Sequence, residues 1–143
     1  MRYVFIYGTL RAGEINDIGQ AAARHGIAAP RLIGRAAVAG RLYDFGDYPG
    51  LVQDETAGLV RGDVYEIEDD LVSVLDDIEG VRPGIDSLFK SRPVSVPVAG
   101  RTLACFFYPV DAVSVEGRTR IEAGDWISYR LARDGVAAFN YGR

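Results

Sequence analysis

The chain has one histidine and one cysteine among its 143 residues. A lone cysteine excludes a disulfide framework within the chain, and Cys105, in an apolar run, is expected to be a small buried hydrophobe. No spacing of cysteine and histidine suits zinc. His25 stands where the last turn of a helix is predicted, and a cation there complements the helix dipole. The sequence therefore argues against Ser-His-Asp and Cys-His nucleophilic catalysis, so acid–base chemistry is expected of a carboxylate or a tyrosine.

Long hydrophobic runs and blocks of like charge are also missing. No stretch reaches the apolar length of a membrane span, and the first residues lack the apolar core of a signal peptide. The 20 acids and 16 bases are scattered and give a net charge of −4, without the basic stripe of a nucleic-acid binder. We therefore predict a cytoplasmic protein, one domain over residues 1–143, with neither nucleic acid nor a membrane as partner.

Hydrophobic periodicity and turn residues predict many strands and few helices. The alternation also predicts a hairpin that turns at residues 99–101. Asn16 or Asp17 is expected to cap the first helix, and Asp125 is expected to start the last one. Strands that come in runs, rather than in strict alternation with helices, favour an α+β domain on a mixed, mostly antiparallel, barrel-like sheet. Strands are predicted at residues 3–7, 31–45, 51–52, 59–67, 88–98 and 102–110, and helices at residues 17–25, 69–78 and 124–133.

The start of the chain has the pattern of a small anion pocket. An apolar run over residues 3–7 stops at Gly8-Thr9-Leu10 and is followed by Arg11. Glycine lets the backbone approach a ligand closely, Thr9 offers a hydroxyl beside exposed N–H groups, and Arg11 supplies a planar charged fork for a carboxylate. The same residues would also suit an edge strand followed by an ordinary turn.

A second candidate site is the acidic end of the helix predicted at residues 69–78. Asp76, Asp77 and Glu79 stand where helix carbonyls already present partial negative charge. That pole, the neighbouring acids and desolvation would each raise the pKa of Glu79, which suits a general acid or base near neutral pH. Glu79 is favoured because it directly precedes Gly80, at the helix exit. The alternative is three solvated acids that end an amphipathic helix.

Taken in order, six short motifs resemble the gamma-glutamylcyclotransferase-like superfamily. The resemblance runs from Met1 to about Tyr129. Each motif alone is short, and it is their order and spacing that make the assignment specific. The motifs are Tyr7-Gly8-Thr9-Leu10-Arg11, Gly40-Arg41-Leu42-Tyr43-Asp44, Tyr48-Pro49-Gly50, Gly62-Asp63-Val64-Tyr65, Leu75-Asp76-Asp77-Ile78-Glu79-Gly80 and Gly124-Asp125-Trp126.

The resemblance implies an enzyme with a small barrel-like sheet and no metal or organic cofactor. Its substrate would be a gamma-glutamyl amide whose own α-amine attacks the γ-carbonyl, which yields 5-oxoproline and a free amine, so the protein needs no nucleophile. Glu79 matches the acid/base glutamate of the family. The loop amides and the Thr9 hydroxyl would hold the α-carboxylate or the polarised oxygen. The implied substrate-binding residues are Tyr7, Gly8, Thr9, Leu10, Arg11, Tyr43 and Tyr108.

Several alternatives stay open at the level of sequence. Arg11 could equally pair with an acid, and each tyrosine could be a half-buried strand aromatic with its hydroxyl at the surface. Many relatives carry a tyrosine and an arginine where this chain has Leu88-Phe89-Lys90-Ser91-Arg92, and Arg92 is expected on the opposite face of the strand. Other functions compatible with the pattern are a small-molecule binding protein, a regulatory domain and a hydrolase that uses Glu79 to activate water.

Overall fold

The computed structural model describes residues 1–141. Strand and helix bounds follow the predicted pattern, and most agree with it to within two residues. The exceptions are the ends of the hairpin strands and of the last helix. The elements are β1 Arg2–Ile6, α1 Ile18–Arg24, β2 Arg31–Asp44, β3 Pro49–Gln53, β4 Leu59–Ile67, α2 Asp69–Glu79, β5 Arg92–Val98, β6 Arg101–Phe107, a 3-10 turn Ala112–Val115 and α3 Trp126–Tyr141.

The six strands form one sheet in the order β3-β2-β4-β1-β6-β5. All neighbours are antiparallel except β1 and β6, which are parallel. The 14-residue β2 pairs with β4 along its first part and with β3 along its second, and it has a bulge between Leu32 and Gly34. Because β2 also approaches β5, the sheet curls toward closure. The predicted mixed, mostly antiparallel, barrel-like α+β fold is confirmed.

Strand β1 is the centre of the core because both of its faces are covered. Val4 and Ile6 belong to a cluster with Leu71 and Leu75 of α2 on one side of the sheet. Phe5 belongs to a second cluster, inside the curl, with the fully buried Trp126 at the start of α3. Alternate side chains of a strand point to opposite faces, so β1 holds both layers together and its end lies deep in the protein.

Capping residues in the sequence correctly indicate where α1 and α3 begin. Asp17 accepts hydrogen bonds from the backbone N–H groups of Gly19 and Gln20, and so caps α1. Asp125 accepts from the N–H groups of Ile127 and Ser128 at the start of α3. Asp125 is thus confirmed at the start of the last helix, and of the two candidates for the first helix, Asn16 and Asp17, it is Asp17 that caps it. Among the described residues, no helix is both long enough and apolar enough to cross a membrane.

The predicted hairpin is wrong at its ends. The first strand begins at Arg92 rather than Leu88, so Phe89 lies before the strand. The two residues do not share a strand, and the expectation that Arg92 lies on the opposite face does not apply. The turn consists of Ala99 and Gly100 alone, with φ of 53° and 79°, as in two-residue hairpin turns. Arg101 is therefore paired with Val98. Helix α3 also extends to Tyr141, beyond the predicted residue 133.

Candidate functional site

A small recess lies where the end of β1 meets the end of α2. Its volume is about 30 Å³. It adjoins an open cleft of about 800 Å³, and Thr9, Tyr48, Glu79 and Phe89 line both spaces. The structure thus has a tight inner compartment with a wide outer one in front of it. The recess is lined by Ile6, Tyr7, Gly8, Thr9, Leu10, Tyr48, Pro49, Glu79, Phe89 and Tyr108.

The loop at residues 7–11 forms one wall of the recess. It is held by backbone bonds from the N–H of Arg11 to the carbonyl of Gly8 and from the N–H of Asn16 to the carbonyl of Thr9, at 3.1 and 2.9 Å. A Cβ atom at Gly8 would stand 2.8 Å from Cγ of Pro49. Gly8 is therefore required by close packing against the proline ring, since its φ is not in the left-handed region.

The same loop offers hydrogen-bond donors. Within residues 1–141, the backbone N–H groups of Gly8, Thr9 and Leu10 have no acceptor. Oγ1 of Thr9 accepts a hydrogen bond from the side-chain amide of Asn16 at 3.0 Å, which leaves the hydroxyl proton of Thr9 available. A loop with these free donors is suited to an anionic or strongly polarised oxygen.

Glu79 closes α2 on the other side of the recess. The helix stops there because Gly80 adopts the left-handed conformation, with φ 73°. Glu79 is half-buried, and no group in the described part of the chain is within hydrogen-bond distance of its carboxylate. Burial of this carboxyl group raises its pKa from 4.5 to about 7. A carboxyl group with this pKa can take and return a proton near neutral pH.

Tyr7 connects three elements around the recess. Its hydroxyl donates to the carbonyl oxygen of Tyr108 at 2.7 Å and accepts from the N–H of Leu51 at 3.2 Å. Burial, together with the nearby charge of Glu79, raises the pKa of Tyr7 far above its usual value. Tyr7 is therefore a neutral wall of the recess whose hydroxyl is already engaged.

Tyr108 lies beside Glu79, and its hydroxyl donates to Oδ1 of Asp76 at 2.7 Å. Burial raises the pKa of Tyr108, and so do its bond to Asp76 and the charge of Glu79. Sequence reasoning offered this hydroxyl as a donor into the cavity. That expectation is wrong for this structure, because the hydroxyl donates its proton to Asp76. The Tyr108 oxygen can then only accept a further hydrogen bond.

The structure does not bring Arg11 to the recess. Its Nε lies 3.0 Å from Oδ2 of Asp63, and its Nη1 lies 3.2 Å from Oδ1 of Asp125. Only 11% of the arginine side chain is exposed. The expectation that Arg11 reinforces an anion site is therefore wrong for this structure, because its guanidinium is bound to the buried Asp63 on β4 and to the half-buried Asp125 before α3.

Tyr43 is also outside the recess. Its hydroxyl accepts a hydrogen bond from Nη1 of Arg41 at 2.6 Å, and it lines neither the recess nor the cleft. Tyr43 packs against the same core cluster as Phe89 and Tyr108 but reaches neither cavity. The other predicted residues, Tyr7, Gly8, Thr9, Leu10, Glu79 and Tyr108, all line the recess.

Sequence reasoning missed an aromatic wall between the recess and the cleft. The rings of Tyr48 and Phe89 are 5.6 Å apart, and Tyr48 stacks on Phe45 at the same distance. The guanidinium of Arg118 lies 3.9 Å from the centre of the Phe45 ring. The signal available for Tyr48 was its place in the Tyr48-Pro49-Gly50 motif. The signal available for Phe89 was its place where many relatives carry a tyrosine, although its segment forms neither helix nor strand.

Two arginines of α3 form the far wall of the cleft. Arg130 binds the carboxylate of Glu14 through two nitrogens, at 2.9 and 2.7 Å. Arg133 binds the carboxylate of Asp44 at 3.1 Å and the carbonyl of Gly46 at 2.8 Å. These bonds tie α3 to the loops that border the cleft and neutralise both cations. No group of three potential metal ligands is found among the residues described.

Comparison with known proteins gives a family match over most of the chain. A family model described as gamma-glutamyl cyclotransferase, AIG2-like, matches residues 4–128. The matched region includes every residue that lines the recess.

Individual relatives extend this match. The gamma-L-glutamyl-butirosin B gamma-glutamyl cyclotransferase of Niallia circulans is 31% identical over 134 residues, 92% of this chain and 79% of that protein. The crystal structure of an AIG2-like protein from Mus musculus has a TM-score of 0.64 at 25% identity, with 77% of each chain covered. The fold is also shared with the YkqA protein of Bacillus subtilis, with a TM-score of 0.68 at 24% identity. The superposition covers 94% of this chain and 42% of that protein.

Proposed function

The chain belongs to the gamma-glutamyl cyclotransferase, AIG2-like family, and from this membership we propose that it converts a gamma-glutamyl amide into 5-oxoproline and a free amine. The observation that carries the proposal is the unpartnered Glu79 carboxyl group, with a pKa of about 7, opposite the free amides of the loop at residues 7–11. This arrangement places a proton acceptor and a set of donors on two sides of one small recess.

The proposed reaction is intramolecular. Glu79 takes a proton from the α-ammonium group of the substrate, and the free amine then attacks the γ-carbonyl carbon. A C–N bond forms within the new five-membered lactam, and the C–N bond to the leaving amine breaks. Glu79 returns its proton to the departing nitrogen, and the second proton of the attacking nitrogen then passes through the regenerated Glu79 carboxylate to solvent or to the released amine, so that the lactam is neutral. No nucleophile from the protein is needed, because holding the chain in a ring-closing conformation supplies much of the rate.

The loop at residues 7–11 would hold the negative charge of the substrate. The N–H groups of Gly8, Thr9 and Leu10, with the hydroxyl of Thr9, are available for the α-carboxylate or for the carbonyl oxygen as charge develops on it. Tyr7 would act as a fixed wall of the recess. Arg11 takes no part, because its guanidinium is bound to Asp63 and Asp125.

The leaving amine would occupy the outer cleft. A space of about 800 Å³ in front of the recess accommodates far more than a small amine. The similarity to a protein whose name specifies gamma-L-glutamyl-butirosin B supports a large leaving group. Within this proposal, the glutamyl end is recognised in the recess and the aromatic wall of Tyr48 and Phe89 separates it from the leaving group.

The test is mass spectrometry of the products from a panel of gamma-glutamyl amines and dipeptides. We expect 5-oxoproline with the wild-type protein and a loss of about 10²–10⁴-fold in kcat for Glu79→Gln, the range typical of general acid–base catalysis. Asp70→Asn is the matched control, because Asp70 is an exposed acid of the same helix that lines neither the recess nor the cleft. It should keep full activity.

Other outcomes separate the alternatives. Release of glutamate in place of 5-oxoproline would identify a hydrolase. Binding of gamma-glutamyl amides without any product would identify a binding protein. Full activity of Glu79→Gln would refute the role of Glu79. The cytoplasmic location expected from the sequence stays a prediction.

A further inference from the structure

We propose that Asp76 is a positioning residue that makes Tyr108 the hydrogen-bond acceptor for the α-amino group of the substrate. The inference rests on the proposed function and deepens it, because it assigns the orientation of the gamma-glutamyl group in the recess. Tyr108 would contact the substrate, and Asp76 would act through Tyr108.

The first step is the position of the two residues. Asp76 lies three residues before Glu79 on α2, so both side chains are on neighbouring turns of the same helix. The Tyr108 hydroxyl is bonded to Asp76 at 2.7 Å, while the Tyr108 carbonyl accepts from Tyr7 at 2.7 Å. Tyr108 is only 3% exposed and lines the recess. Both ends of the residue are therefore held in place.

The second step is the direction of the hydrogen bond. An ionised carboxylate accepts hydrogen bonds and cannot donate them. The hydroxyl of Tyr108 must therefore give its proton to Asp76, and its oxygen keeps a lone pair for one further donor. The raised pKa of Tyr108 keeps the hydroxyl protonated. A tyrosine held in this way can accept from an N–H group and has nothing to donate into the recess.

The third step is the polarity of the whole recess. The loop wall carries only donors toward a ligand, the N–H groups of Gly8, Thr9 and Leu10. The opposite wall carries acceptors, the oxygen of Tyr108 and the carboxylate of Glu79. A gamma-glutamyl amide has two donors, its α-amine and its amide N–H, and several acceptors. The amide N–H belongs to the leaving group, which the proposed function places toward the cleft. The orientation that satisfies both walls therefore puts the α-amine between Tyr108 and Glu79, where Glu79 can deprotonate it.

The test compares two ligands that differ only in the α-amine. One is a gamma-glutamyl alkylamide, assayed as a substrate. The other is the matching N-alkyl glutaramate, which keeps the carboxylate and the amide but lacks the amine, assayed as a competitive inhibitor. In Asp76→Asn, the side-chain amide can donate as well as accept, so Tyr108 is free to turn its proton into the recess.

For Asp76→Asn we expect kcat/KM of the gamma-glutamyl alkylamide to fall by about 10–100-fold, as for loss of a hydrogen bond to a charged group. The Ki of the glutaramate should change by less than about twofold. Tyr108→Phe, which removes the acceptor, should show the same selective loss. Asp70→Asn, with the same chemical change at an exposed position of α2 outside both cavities, should alter neither constant.

Equal weakening of both ligands in Asp76→Asn would mean that Asp76 only supports the shape of the recess, and would overturn the inference. An unchanged kcat/KM in Asp76→Asn or Tyr108→Phe would overturn it as well. These results leave the wild-type activity intact, so they are distinct from failure of the proposed function, which would show as no 5-oxoproline from the wild-type protein. In that case the two ligands are compared by calorimetric affinity, and the same selective loss is required.

Discussion

The hydroxyl of Tyr7 donates to the carbonyl oxygen of Tyr108 at 2.7 Å, across 101 residues of sequence. The same oxygen of Tyr7 accepts from the N–H of Leu51. One buried hydroxyl thus joins the end of β1, the middle of β3 and the residue that follows β6. These are three of the segments that enclose the recess, so its shape depends on this junction.

Removing the hydroxyl should therefore lower stability. In Tyr7→Phe, the buried N–H of Leu51 and the buried carbonyl of Tyr108 lose their partner, which costs about 1–3 kcal/mol in the free energy of unfolding. Urea denaturation measures this change. Tyr43→Phe is a control, because the hydroxyl of Tyr43 only accepts from Arg41, which is partly exposed and also pairs with Asp54, so water can replace this bond and we expect a change of about 0.5 kcal/mol or less. Equal losses in the two variants would contradict the account of the junction.

The activity should depend on pH through Glu79. Burial raises the pKa of this carboxyl group to about 7, and only the ionised form can accept a proton. We expect kcat/KM to rise about tenfold for each pH unit below the pKa and to level off above it. A pH–rate profile on the wild-type protein measures the midpoint. Asp70→Asn should keep the same midpoint, whereas a rising limb near pH 4.5, the ordinary value for glutamate, would mean that the carboxyl group is not buried in solution.

The stability of the protein should also depend on the ionisation of Glu79. The free energy of unfolding should fall as the pH rises, whereas the activity should increase. Because the pKa of Glu79 rises from 4.5 to about 7 on folding, the folded state binds this proton more tightly than the unfolded state does. The resulting stabilisation is complete below pH 4.5 and is lost as the pH rises through 7. The glutamine of Glu79→Gln cannot ionise, so the variant does not lose this stabilisation. The difference in free energy of unfolding, variant minus wild type, should therefore increase by up to about 3 kcal/mol from acidic pH to about pH 8.

Chemical denaturation of both proteins at several pH values measures this difference. The comparison uses the change with pH and not the absolute stability, so any packing effect of glutamine cancels. A difference that does not change with pH would show that Glu79 has the same pKa in the folded and unfolded states.

Arg11 should contribute to stability and not to substrate binding. In Arg11→Met, Asp63 loses its partner while its side chain is only 12% exposed, and an unpaired buried charge costs about 3–5 kcal/mol. Arg31→Met is the control, because Arg31 pairs with Glu66 with 66% of its side chain exposed, and such surface pairs contribute about 1 kcal/mol or less. A raised KM in Arg11→Met with unchanged stability would instead place Arg11 at the anion site.

Several features of this protein could be predicted from the sequence because they depend on residues close together in the chain. The strand positions follow from alternation along single segments. The caps at Asp17 and Asp125, and the helix end at Gly80, follow from side chains and backbone within about one helical turn. The same local argument selected Glu79, since its place before Gly80 puts it at the exit of α2.

The tertiary structure decided where the remaining side chains go, because their partners are distant in sequence. Arg11 is drawn to Asp63 and Asp125, 52 and 114 residues away. Phe89 lines the recess although its segment is neither helix nor strand. Tyr108 donates to Asp76 only because β6 ends beside α2. Patterns of period 2 or 3.6 determine which face of its own element a side chain occupies. They do not determine which other element lies against that face, and in this protein that packing makes the site.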